Sequence, residues 1–304
     1  MKKIAFLGIA MILCGLIIMR KDDIMTIIHT YTGFDEKSVS LGEKNDYYRD
    51  YDFDFVQNTD DFAPESEQDI LNIYYTAINA GKTSFTFYCP KEYTGCLDSI
   101  EELANDQDEL SDINNFVHPY NGFSHIETEY DSLGKVTINI IKSYKEKDIQ
   151  LIEEQIDALL PQITSPDNTD EENIKSIHDY IINHSKYDSL RSEQNVFTYK
   201  SDLAYGPLFE GYAICSGYTD LMELFLERLN IKSFKVSSED HVWNAVYLNN
   251  HWYHLDLTWD DPVATDGRDY LEYNYFLIDT NHLLSIETTQ HIFNQNIYKE
   301  LESA

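Results

Sequence analysis

The sequence predicts an α+β chain, on three observations. Residues 215–230 read as an amphipathic helix, with Tyr218, Leu221, Met222, Phe225 and Leu229 at i, i+3, i+4 spacing. Short strand-like runs follow at 233–237, 242–248 and 252–257. Asn249-Asn250 between the last two is a two-residue hairpin turn. One helix feeding an antiparallel sheet is an α+β arrangement.

The elements before it divide the chain further. Met1-Lys2-Lys3 precedes an apolar run of 16 residues from Ile4 to Met19, then Arg20-Lys21. A basic start and an apolar stretch form an export pattern, so residues 1–23 read as a signal peptide or signal-anchor helix. As a helix the run spans roughly 24 Å, somewhat short of a ~30 Å hydrocarbon core. Residues 24–64 are polar and rich in Asp and Tyr, and read as an irregular stalk. Residues 65–163 read as a smaller α+β domain. It holds a helix over 65–80, a strand over 83–89 and an acidic helical region over 97–116. A hairpin joins 123–130 to 135–144 through Asp131-Ser132-Leu133-Gly134, and a helix covers 148–163. Thr164 to Asp170 is a polar linker. Thr169 or Asp170, with Glu172 behind it, starts a helix through about Lys186, and a second domain covers 170–304. His178 and His184 on that helix read as packing or surface histidines. Tyr273 to Ile278 reads as a fourth strand.

Composition narrows the partners. The 304 residues carry 54 Asp+Glu against 22 Lys+Arg, a net charge of −32. Such a surface repels phosphate, which argues against nucleic acid and against anionic lipid as a landing site. Cys89 and Cys96 make a single C-x6-C pair without a second pair, which is not zinc spacing, and no EF-hand spacing is present. No metal and no cofactor are expected. The pair is either a short disulfide or two buried thiols. Cys14 lies in the export segment, which leaves Cys215 as the odd cysteine.

Cys215 opens its helix, in Gly211-Tyr-Ala-Ile-Cys215-Ser-Gly217-Tyr. Orphan N–H groups and the positive end of the helix dipole gather there and favour thiolate. His241 opens the strand His241-Val-Trp-Asn, and Asp256 ends the next one, in Trp252-Tyr-His-Leu-Asp256. A turn at 249 and 250 pairs 248 with 251, which faces 243 with 256 and makes His241 and Asp256 diagonal neighbours. A thiol, an imidazole and a carboxylate can thus take the roles of nucleophile, base and orienting acid.

These blocks resemble the transglutaminase-like superfamily of papain-like cysteine enzymes, in its bacterial branch. The likeness runs through Cys215-Ser-Gly-Tyr, His241-Val-Trp-Asn and Trp252-Tyr-His-Leu-Asp256, then Thr258-Trp-Asp-Asp-Pro262, and covers about residues 170–285. It implies a papain-like core with the nucleophile on a helix N-terminus packed on an antiparallel sheet. It also implies Cys215 as nucleophile, His241 as base and Asp256 as orienting acid.

The chemistry that follows is acyl transfer to an amine, or hydrolysis, at carboxamide or peptide bonds of proteins or cell-wall peptides through a thioester. The Cys215 backbone N–H is the first oxyanion donor. Tyr205, Tyr212 and Trp243 are candidates for the cleft or a second donor. Trp252 and Trp259 are expected to wall the site, and His254 either supports it or only packs. The expected location is the outer side of the cell membrane or the medium. The alternative is a non-catalytic surface module that binds peptide or glycan in the same cleft.

Overall fold

The computed structural model describes residues 39–263, 270–286 and 289–302. The described residues from Leu41 onward belong to one compact unit. The export segment expected over 1–23 lies outside the described residues. No described helix is long and apolar enough to cross a membrane.

The first half of the unit holds α1 (Glu67–Asn79), β1 (Ser84–Tyr88), α2 (Cys96–Asn105) and α3 (Gln107–Asn115). β2 (Phe123–Tyr130), β3 (Lys135–Lys142) and α4 (Glu146–Ile163) complete it. The acidic region read as one stretch is two helices. Asp106 is extended between them and caps α3 by accepting from the Glu109 N–H. The strands make an antiparallel sheet in the order β1-β3-β2. Cys89 and Cys96 are disulfide-bonded, with Cα atoms 5.8 Å apart.

The second half begins with α5 (Asp170–His184), whose capping box joins Thr169 to Glu172. β4 (Lys186–Tyr187), α6 (Ser189–Gln194) and β5 (Tyr212–Ala213) follow, with β4 and β5 parallel. Then come α7 (Cys215–Arg228) and the antiparallel sheet β6 (Ser233–Ser237), β7 (Val242–Leu248) and β8 (His251–Leu255). α7 lies on β6 and β7. The register is the one read from the turn, with Leu248 opposite His251 and Asn244 opposite Leu255. Asn249 and Asn250 both have positive φ, at 54° and 63°, as a type I′ turn requires. The chain closes through α8 (Leu257–Asp260) and α9 (Thr280–Ile286).

Three expectations need correction. Residues 41–64 form no stalk, because Leu41, Phe53, Val56 and Phe62 are buried. Phe53 packs on Phe116 at 4.7 Å and on Phe234 at 5.5 Å between ring centroids, which ties this segment to both halves. Burying such a ring contributes about 1.5–3 kcal/mol. Residues 164–169 do not separate two domains. Ile149, Ile152 and Ile156 of α4 share one core with Ile174, Ile177 and Ile181 of α5 and with Leu221 and Phe225 of α7. Residues 273–278 form no strand. Only Ile278 bridges His254, and Leu277 at φ 50° breaks the extended run.

Candidate active site

Cys215 is held by what precedes it. The Ile214 N–H donates to the Ser201 carbonyl at 2.8 Å, and the Ser216 hydroxyl donates to the Asp202 carbonyl at 3.0 Å. A Cβ on Gly217 would stand 2.2 Å from the Ser201 oxygen, so only glycine allows this approach. The thiol is free and half-buried at the first position of α7. A first-turn amide has no carbonyl one turn earlier to accept it, so the Cys215 N–H is available to an oxyanion.

Helix and sheet are pinned together beside it. Thr219 Oγ1 lies 2.8 Å from the Cys215 carbonyl and 3.1 Å from that of Val242. Asn244 Nδ2 donates to the Thr219 carbonyl at 3.1 Å. His241, just before β7, is thereby brought close enough to the Cys215 sulfur for the two groups to act on one another's charge. Its Nε2 is 2.6 Å from Asp256 Oδ2, which leaves Nδ1 as the ring nitrogen available to the thiol. Burial alone would lower the His241 pKa. The Asp256 charge and hydrogen bond, with the Cys215 sulfur, outweigh burial and raise it to about 10. Burial likewise opposes the charge on Asp256, but His241 and His291 hold it well below the ordinary carboxylate range.

The other predicted residues divide. Trp243 is buried and stacked on His241, with centroids 5.7 Å apart. His254 hydrogen-bonds neither Cys215 nor His241; it accepts from the Trp243 indole at 2.9 Å and so backs that wall. Trp259 borders the site, with its indole donating to Gln290 Oε1 at 3.2 Å. Tyr212 stacks on Tyr199 at 4.1 Å and Tyr205 packs on Phe209 at 4.7 Å. Trp252 does not wall the site: it packs on Phe234 and Tyr247 on the sheet's aromatic side. His178 is buried, its Nε2 3.2 Å from Asp260 Oδ2 and its Nδ1 3.0 Å from Asp179 Oδ1, so it braces α5 against α8. His184 is exposed and bonded to the Tyr180 carbonyl.

Sequence reasoning missed His291. Its Nε2 lies 2.8 Å from the same Asp256 Oδ2. It stands in a polar stretch without periodicity, so nothing local marks it. His241, Asp256 and His291 also form a compact set able to hold a metal ion, with ligand atoms within 4.8 Å of one another. Contacts of 2.6 and 2.8 Å to one oxygen are lengths at which both imidazoles donate N–H bonds to it.

Residues 157–257 match the family model of the transglutaminase-like superfamily. Kyphoscoliosis peptidase of Homo sapiens is 28% identical over 154 residues, 43% of this chain and 22% of that protein. The Mus musculus protein of the same name is 26% identical over 153 residues, with the same shares covered. The chain thus spans about a fifth of the length of these relatives. A solved structure described as a TGase is 13% identical, covers 48% of this chain and 47% of its own, and has a TM-score of 0.35, too slight a likeness to argue from. Residues 157–257 are therefore a transglutaminase-like superfamily domain, and Cys215, His241 and Asp256 all lie inside it.

Proposed function

We propose that this protein breaks carboxamide or peptide bonds of protein or peptide substrates through Cys215, His241 and Asp256. The carrying observation is one imidazole bonded to a buried carboxylate at 2.6 Å and close enough to a half-buried free thiol for the sulfur to help hold its charge. The Cys215 thiolate attacks the carbonyl carbon, and the Cys215 N–H takes the oxyanion. His241, protonated beside Asp256, gives its proton to the leaving nitrogen as the carbon–nitrogen bond breaks. A thioester remains. An amine resolves it by acyl transfer, or water by hydrolysis, with His241 taking the proton back. Asp256 keeps the ring in the tautomer that faces sulfur.

We further propose that the domain works outside the cytoplasm, on the membrane surface or secreted, with cell-wall peptides among its substrates. The Cys89–Cys96 bond supports an oxidising compartment, in line with the basic and apolar pattern of residues 1–23.

The test offers the protein a labelled primary amine and a glutamine-rich protein, with Cys215→Ala as control. Incorporation lost in the variant selects the transferase. Release of ammonia or peptide without incorporation selects the hydrolase. No Cys215-dependent product, together with thiol alkylation indifferent to His241→Ala, overturns the reading.

A further inference from the structure

We infer that His291 is a positioning residue of this reaction, holding the Asp256 carboxylate on which the His241 base depends. The inference rests on the functional reading above and extends it to a residue outside the 157–257 match.

Asp256 is held from four sides. Oδ1 accepts the Thr258 N–H at 2.8 Å and the Trp259 N–H at 3.4 Å. Oδ2 accepts His241 Nε2 at 2.6 Å and His291 Nε2 at 2.8 Å. A carboxylate with two donors on each oxygen cannot turn about its Cβ–Cγ bond without breaking several charge-assisted bonds. Without His291, Oδ2 would keep a single partner, the ring that must itself move a proton.

The surroundings of His291 support a role for its nitrogen. The ring is fully buried, stacked on Tyr275 at 5.0 Å and meeting the Trp243 and Trp259 rings edge to face at 4.8 and 5.2 Å. Its Nδ1 makes no hydrogen bond among the described residues. A phenyl ring would fill such an aromatic cage without burying that nitrogen. The bond to Asp256 is the polar contact that distinguishes imidazole from phenyl here.

The backbone places the ring with the same economy. The Gln290 carbonyl accepts from the Ser238 hydroxyl at 2.5 Å, just ahead of His241. The Gln290 side chain accepts from Trp259 at 3.2 Å, just after Asp256, and donates to Asp240 at 3.4 Å. This C-terminal segment therefore straps the base and its carboxylate together.

The test follows iodoacetamide labelling of Cys215 at neutral pH in wild type, His291→Phe, His291→Gln and His241→Ala. Near-UV circular dichroism checks folding. His291→Phe should slow labelling about tenfold, the scale of one charge-assisted bond. His291→Gln, whose amide nitrogen can reach Oδ2, should recover most of the rate. A folded His291→Phe that labels like wild type, while His241→Ala is slow, overturns this inference alone. If His291→Phe does not fold, His291→Asn, too short to reach Oδ2, replaces it, and a wild-type rate there has the same meaning. Wild-type labelling indifferent to His241→Ala removes the functional reading and this inference with it. Loss of labelling in EDTA would give the two imidazoles to a metal and overturn the positioning role.

Discussion

The Trp243 indole N–H donates to His254 Nδ1 at 2.9 Å, with both side chains buried. The bond requires Nδ1 to be unprotonated. His254 Nε2 then carries the hydrogen and donates to Thr280 Oγ1 at 3.0 Å, whose hydroxyl donates to the Leu301 carbonyl at 3.0 Å. Burial, with His291 nearby, lowers the His254 pKa to about 3. One indole thus lies between a ring kept neutral, His254, and a ring kept charged, His241.

The neutral ring makes a pH prediction. A histidine whose folded pKa is depressed adds stability above its unfolded value, and this is lost as pH falls. The window runs from 6.5 down to about 3. His254→Asn, whose amide oxygen can still accept from Trp243, should show a shallower loss of stability than wild type between pH 6.5 and 4. Urea unfolding at several pH values checks this, and parallel slopes would refute it.

The charged ring predicts the opposite direction. His241 is raised from 6.5 to about 10 chiefly by Asp256, so its contribution is complete below 6.5 and lost as pH rises through about 10. Asp256, held low, contributes above 3.8 and loses its contribution as pH falls below that value. Asp256→Asn should therefore remove the decline in stability between pH 6.5 and 10. It should also slow product formation by about a hundredfold or more, because the ring loses both charge partner and tautomer control. Unfolding curves at pH 6, 8 and 10 and a rate measurement at fixed substrate read both effects.

Arg49 carries the packing of the 41–64 segment. It pairs with buried Glu223 of α7 and donates to the Phe116 carbonyl at 3.1 Å. Arg49→Leu leaves Glu223 charged and buried, which should cost about 3–5 kcal/mol. The double variant Arg49→Leu, Glu223→Leu should recover much of that loss. Denaturant midpoints decide: equal losses in single and double variants would mean that the pair is not the source.

Gly217 predicts a steric effect on chemistry. A methyl there meets the Ser201 carbonyl, which is backbone and cannot swing aside. Gly217→Ala should cost about 1–3 kcal/mol, and should slow Cys215 labelling because the start of α7 is pushed off its support. A thermal melt and a labelling rate indistinguishable from wild type would contradict this.

Local pattern determined much of this protein. The i, i+3, i+4 spacing marked α7, Thr169 with Glu172 marked the start of α5, and the two asparagines at 249 and 250 set the register that brings His241 to Asp256. Such features act between near neighbours along the chain, so they are written in short windows. Tertiary structure alone decided the rest. It buried residues 41–64 through Phe53 and Arg49, merged two expected domains through the apolar faces of α4, α5 and α7, and carried His291 across 35 positions to Asp256. Those contacts depend on which faces meet once water is expelled, and a lone imidazole in a polar stretch acquires its partner only when that packing closes around it.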